Sequence, residues 1–315
     1  MITIESFAPV PAAARGGFLT IGNFDGVHRG HSHLLARLRA RADAAGAPAL
    51  ALTFNPHPVA LLRPDKAPVP LVWPEREVEL LLATGADEVG VFRTGPWLLE
   101  LSAREFFDRV ILGQFQARGL VEGPNFAFGR DRLGDTAMLG RWCADEGLEF
   151  EVVEPTVVEG ALVSSTRIRH ALTEGHADEA ARLLGRPHRI RGRVVHGAAR
   201  GATLGFPTAN LGGIDTLIPA DGVYATRAFV DDGSPGWPAA CHIGPNATFG
   251  ERNRTVEAHL IGFNGDLYGR RIELDILQRI RPTRRFEGRE ELLAQIGADV
   301  AETEAVCRRA GQTDL

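Results

Sequence analysis

Hydrophobic and polar positions change rhythm once along this chain. In the first half, short apolar runs alternate with helical periods. Phe18–Ile21 and residues 49–54 are continuous apolar runs, the pattern of strands covered on both faces. Between them Leu34, Leu35 and Leu38 recur at helical spacing within 32–45, and Gly46 supplies a stop. Pro74 opens a further helix that ends near Gly85, and residues 88–92 return to strand. Ser102 and Glu105 form a capping-box pattern ahead of Phe106, Phe107 and Val110. A strand at Gly119–Glu122, a helix after Asp135 and a strand at 149–153 complete the series. This βαβα order predicts an α/β, Rossmann-like domain with a mostly parallel sheet, whose ligands bind at the carboxyl ends of the strands.

The rhythm breaks near Gly185-Arg186-Pro187. Beyond it, short alternating segments at 190–195, 222–230, 239–243, 255–263 and 271–277 are separated by Gly, Pro and Asp clusters, which predicts a small antiparallel barrel. A C-terminal helix over 288–309 closes the chain. The expected domains are 1–185 and 186–315, two being what 315 residues favour.

Composition narrows the classes. With 44% hydrophobic and 24% charged residues the chain has an ordinary globular make-up. A net charge of −5 supplies no basic field for nucleic acid or a membrane surface. No apolar run approaches the roughly 18 residues of a membrane helix, and residues 1–10 lack the basic-then-apolar order of a secretory signal. Cys143, Cys241 and Cys307 are odd in number and form no Cys-x-x-Cys pair, which argues against a disulfide framework or structural zinc. The expectation is a cytoplasmic protein without nucleic-acid or membrane partners, monomeric or weakly self-associating.

The candidate chemistry starts at Gly22-Asn23-Phe24-Asp25-Gly26-Val27-His28-Arg29-Gly30-His31, where a buried strand leads into a helix. Gly22, Gly26 and Gly30 let backbone approach a phosphate chain. The helix expected after His31 offers N–H groups and a positive dipole end to an anion. His28 and His31 can donate to phosphate oxygens as charge builds, which is transition-state stabilisation without a covalent step. Thr53-Phe54-Asn55-Pro56-His57-Pro58 follows a second strand, where a ligand would sit or a turn would simply be stiffened. Ser164, Ser165 and Thr166 place hydroxyls at a helix start with Arg167 and Arg169 behind, a set suited to a triphosphate tail or to an ordinary N-cap.

In the second half, Thr208 and Asn210 of Gly205-Phe206-Pro207-Thr208-Ala209-Asn210 are short oxygen donors two apart, able in extended chain to share a hard cation such as Mg²⁺. Alternation over 255–260 puts Val256, Ala258 and Leu260 on one face and Thr255, Glu257 and His259 on the other. Glu257 is thereby available as a base toward a hydroxyl, or as a solvated surface charge.

Together these segments resemble the prokaryotic bifunctional riboflavin kinase/FAD synthetase family over about residues 15–300. Gly123-Pro124-Asn125-Phe126-Ala127-Phe128-Gly129 resembles that family's flavin- and nucleotide-site loop. The resemblance implies phosphorylation of riboflavin to FMN in the barrel and adenylylation of FMN to FAD in the α/β domain, with Mg²⁺ accompanying ATP. It implies nucleotide and phosphate contacts at Gly22, Asn23, Phe24, Asp25, Gly30, Asn125, Ser164, Ser165, Thr166 and Arg167. Flavin contacts are implied at Asn125, Phe126, Phe128 and His57, metal ligation at Thr208 and Asn210, and a catalytic base at Glu257. Two departures stand out: Gly201-Ala202 where the family has Gly-Arg, with Arg200 as a stand-in, and Ala247-Thr248-Phe249 where it has Pro-Thr-Phe. The rival readings are a flavin sensor without catalysis, an enzyme with one degenerate module, and a nucleic-acid-binding barrel. The net charge and the two tyrosines disfavour the last.

Overall fold

The computed structural model describes residues 1–197, 201, 204–231, 236–245 and 253–313. The chain divides into two compact units, Met1–Val69 with Trp73–Ser164, and Pro70–Val72 with Ser165–Leu315.

The first unit carries strands β1 (Ile2–Ile4) and β2 (Phe18–Ile21), helix α1 (Arg29–Ala45), β3 (Ala49–Asn55), α2 (Pro58–Leu62), α3 (Pro74–Ala83), β4 (Glu88–Arg93), α4 (Pro96–Leu99) and α5 (Ala103–Phe106). Helix α5 runs into a π-helical stretch, Phe107–Gln114. Then come β5 (Gly119–Glu122), β6 (Ala127–Phe128), β7 (Gly134–Asp135), α6 (Thr136–Asp145), β8 (Glu149–Val152), β9 (Val157–Val158) and β10 (Ala161–Leu162). Six strands form a parallel sheet in the order β1-β4-β3-β2-β5-β8. The continuous apolar runs have a direct cause. Leu19, Ile21, Leu50 and Leu52 face one core with Phe107, Val110 and Ile111. Phe18, Ala49 and Ala51 face the other with Leu35, Leu38, Val78 and Leu81. Both faces are covered, so neither can be polar.

The second unit opens with α7 (Ser165–Thr173) and α8 (Ala177–Leu184). It continues with β11 (His188–Val195), β12 (Ala209–Gly212), β13 (Gly222–Val230), β14 (Trp237–Pro245), β15 (Arg254–Leu260) and β16 (Arg271–Arg281), and ends with α9 (Arg289–Thr313). The strands close into an antiparallel barrel in the order β11-β12-β15-β14-β13-β16. Ile190, Tyr224, Cys241, Ile243, Val256, Ala258 and Leu274 fill its interior.

Helices α7 and α8 fall in the barrel's unit, ahead of the expected boundary at 185/186. The sequence break at Gly185 is the left-handed cap that ends α8 rather than the edge of a compact unit. Ala177 of α8 joins the barrel's core cluster. Among the described residues no helix is long and apolar enough to cross a membrane.

Candidate functional site

In the first unit the site is built at the carboxyl end of the central strand. As β2 ends, the Ile21 N–H donates to Glu122 Oε1 at 2.8 Å and the Gly22 N–H to the Leu52 carbonyl at 3.0 Å. These bonds tie the exit of β2 to the ends of β5 and β3. The chain then turns through Gly26 at φ +87° and Val27 at φ +38°. A β-branched residue rarely adopts the second value, so the turn is held by its surroundings. Val27 is buried, and its N–H donates to the Phe24 carbonyl at 2.8 Å.

Helix α1 starts at Arg29, earlier than the expected start after His31. His28 is its N-cap, and His28 Nδ1 accepts the His31 N–H at 3.3 Å. The two imidazoles stack with centroids 3.7 Å apart and planes 14° from parallel. Since His28 Nδ1 is an acceptor, the proton of a neutral His28 ring sits on Nε2. Gly30 explains the spacing of the motif: a Cβ there would lie 3.1 Å from His28 Cε1. Phe24 is buried and meets the His31 ring edge-on at 5.2 Å, so its side chain props the histidine, and only its backbone is left for a ligand.

Two carboxyls stand behind this loop. Glu122 is fully buried, and desolvation pushes its carboxyl well above the usual range, against the lowering effect of the Ile21 N–H. Glu77 of α3 accepts Thr53 Oγ1 at 2.6 Å. Burial pushes the Glu77 carboxyl up to about 7; the Thr53 hydroxyl opposes this and the charge of Asp25 adds to it. Neither is legible in the sequence, because burial of a glutamate leaves no mark in local spacing.

The remaining candidates come from other segments of the chain. His57 caps α2, its Nδ1 accepting the Val59 N–H at 3.1 Å. Asn125 is exposed. Phe128 is buried against Phe106 and Trp142, with Phe126 stacked on it at 5.4 Å, so Phe128 is a packing residue and Phe126 the more accessible ring. Ser164 ends the first unit; Ser165, Thr166 and Arg167 begin α7 in the second. Arg167 Nη2 and Nε reach Glu179 Oε1 at 3.0 and 3.1 Å.

In the barrel the polar candidates come together on the outer face. Asn210 and Glu257 are directly paired across β12 and β15. Thr208 Oγ1 donates to Glu257 Oε2 at 3.4 Å, and Thr255 Oγ1 to Oε1 at 3.2 Å. Two glycines make room for the donors. A Cβ at Gly197 would sit 2.4 Å from Asn210 Nδ2, and one at Gly201 would sit 3.2 Å from Thr208 Oγ1. His259, on the same face as Glu257, meets the Pro207 carbonyl through Nδ1 at 2.8 Å and packs edge-on against Phe206 at 5.5 Å. It anchors the turn that presents Thr208. Sequence alternation put His259 on that face without assigning it a task.

A cavity of about 620 Å³ opens beside this row, with Val195, Ile214 and Ile218 among its apolar walls and Asn210, Arg254 and Glu257 among its polar ones. Among the described residues no group of three or more His, Cys, Asp or Glu is placed to hold a metal. The oxygen donors Thr208 and Asn210 fit a hard ion that brings further oxygens with it, as Mg²⁺ does on ATP phosphates. Arg200, Ala202 and the 247–249 triplet, the departures noted above, lie outside the described residues.

Both halves of this arrangement match known families. The FAD synthetase family model matches residues 10–167 and the riboflavin kinase model residues 184–307. The bifunctional riboflavin kinase/FMN adenylyltransferase of Pseudomonas fluorescens is 40% identical, over 93% of each chain. That of Escherichia coli K12 is 35% identical over 91% of this chain and 92% of its own. The Bacillus subtilis enzyme is 34% identical over 90% of both. A crystal structure described as a macrolide-efflux protein from Streptococcus pneumoniae superposes with a TM-score of 0.84 at 31% identity, covering 96% of this chain and 99% of its own.

These matches define an ATP-dependent transferase with a nucleotidyltransferase module and a kinase module. The chain belongs to the bifunctional riboflavin kinase/FAD synthetase family. It phosphorylates riboflavin to FMN and adenylylates FMN to FAD, each time at the expense of ATP.

Proposed function

We propose the following division of labour among residues. In the barrel, Glu257 takes the proton of the terminal ribityl hydroxyl of riboflavin as that oxygen attacks the γ-phosphorus of ATP. The O–P bond forms as the bond to the ADP oxygen breaks, giving FMN and ADP. Thr208 and Asn210 hold the phosphate chain with its Mg²⁺, which would draw charge from the transferring oxygens. The observation that carries this reading is the pairing of Glu257 with Asn210 and Thr208 on one outer face of the barrel, beside a cavity with an apolar wall for a flat base.

In the α/β unit the phosphate of FMN attacks the α-phosphorus of a second ATP, and pyrophosphate leaves. His28 and His31 steady the charge that develops, with Gly22, Asn23, Asp25 and Gly30 lending backbone to the phosphates. Ser164 receives the departing pyrophosphate. The attacking phosphate is already an anion, so no strong base is required. Flavin contacts fall to Asn125 and Phe126. The protein works in the cytoplasm on small molecules, without nucleic acid or membrane.

The test uses the full chain with riboflavin and Mg-ATP, products being separated by chromatography. A His28→Ala/His31→Ala double variant is expected to make FMN and no FAD. Glu257→Gln is expected to make no FMN, yet to convert added FMN to FAD. Loss of both activities in either variant contradicts the two-site assignment.

A further inference from the structure

A row of residues crosses the outer face of the barrel in register. Asn210 of β12 pairs with Glu257 of β15, Glu257 with His242 of β14, His242 with Val223 of β13, and Val223 with Arg281 of β16. Directly paired residues on adjacent strands point to the same face, about 5 Å apart. The burial pattern agrees: Cys241 and Ile243 point into the barrel and His242 does not. His242 is therefore the neighbour of Glu257 on the side away from Asn210.

The position matters because of how phosphoryl transfer is laid out. The attacking and leaving oxygens are roughly in line with the phosphorus between them. The cavity beside Asn210 runs toward β11, with Val195, His196 and Ile214 among its walls, and His242 takes no part in it. With the phosphate donor on the Asn210 side of Glu257, the acceptor comes from the other side. Among the described residues, the polar side chain paired with Glu257 on that side is His242.

The imidazole itself lacks something. His242 Nδ1 is enclosed and has no hydrogen-bond partner among the described residues, while the residue as a whole is half-buried. Burial pushes its pKa down; the charge of Glu257 works against this, Arg281 adds to it and Asp221 opposes it. Burial thus favours the neutral ring. An enclosed orphan N–H is rarer than an under-satisfied acceptor, which favours the tautomer with the proton on Nε2. A neutral ring with its proton on Nε2 can donate to a hydroxyl oxygen.

We propose that His242 binds the secondary hydroxyls of the acceptor's polyol chain, holding the terminal hydroxyl against Glu257. It thereby selects a polyhydroxylated chain over a plain alkyl alcohol. The inference rests on the reading of Glu257 as the base.

The test compares two acceptors, riboflavin and a flavin bearing a 5-hydroxypentyl chain, which keeps the reacting alcohol and lacks the others. His242→Phe fills the ring's space without a donor. It is expected to lower kcat/KM for riboflavin about tenfold, the scale of one lost substrate hydrogen bond, and to leave kcat/KM for the hydroxypentyl flavin where it was. His242→Asn, which keeps a donor and an acceptor, is expected to restore part of the preference. If His242→Phe folds poorly, His242→Ala adds no bulk and gives the same comparison. An equal loss on both acceptors marks a structural role, and no loss on either marks no role; each overturns the proposal. Glu257→Gln run beside them separates the two readings: if it phosphorylates both acceptors normally, the assignment of the base is what fails.

Discussion

The two raised carboxyls of the first unit show how a single buried side chain can couple the loop after β2 to pH. Glu77 has a folded pKa of about 7, raised mainly by burial, whereas the unfolded chain ionises it in the ordinary carboxylate range. Between those two values the native state binds the extra proton. Stability therefore falls as pH rises through that window. Glu77→Gln keeps an acceptor for Thr53 Oγ1 and removes the titration. Its urea midpoint is expected to exceed the wild-type midpoint by more at pH 8 than at pH 5. An offset that is equal at both pH values contradicts this account. The histidine pair is also a residue-scale matter. Its motif was legible as His-x-Gly-His, yet the reason for the glycine lies in the 3.1 Å approach to the His28 ring.

At the scale of elements, the end of β11 and the start of β12 determine how close backbone can come to the phosphate donors. Gly197 follows β11 and lies against the Asn210 amide, where a Cβ would intrude to 2.4 Å. Gly197→Ala is expected to displace Asn210 and to lower kcat/KM for Mg-ATP in the kinase reaction by about 100-fold, the cost of a misplacement near 1 Å. Steady-state kinetics of FMN formation check this. Most elements around the site were readable from periodicity: β2, β3, α1, β15 and the α5 capping box fall close to where the pattern puts them. Strand β1 was not, because three residues carry too little pattern. The barrel strand β12 was not either, since its four residues, Ala209–Gly212, become strand only by pairing with β11 and β15. The expected strand over 255–263 stops at Leu260, followed by Gly262 at φ +77°.

At the scale of the whole molecule, the two activities form a sequence in which one module's product is the other's substrate. If FMN leaves the barrel as a free molecule, chains defective in different modules complement each other in solution. Mixing Glu257→Gln protein with His28→Ala/His31→Ala protein is expected to convert riboflavin to FAD after a lag, followed by chromatography of both flavins over time. No FAD from the mixture, with each chain retaining its own remaining activity, would mean that FMN does not pass between chains. The division into units bears on how such a chain is cut: α7 and α8 group with the barrel, so a fragment ending at residue 185 would carry two helices away from the unit they pack in.

The linear order of residues by itself determined the two-module architecture, the turn of glycines and histidines that follows β2 and the alternation that puts Glu257 on an outer face. Each of these depends on neighbours a few positions apart along the chain. Only the tertiary structure decided the rest. The cap that joins His28 to His31 needs the helix to start at Arg29, and the upward shift of the Glu122 carboxyl needs burial between β5 and β2. The row from Asn210 through Glu257 to His242 needs strand register, which pairs Asn210 with Glu257 from 47 positions away. Register is a property of closing the barrel, and no local pattern records it.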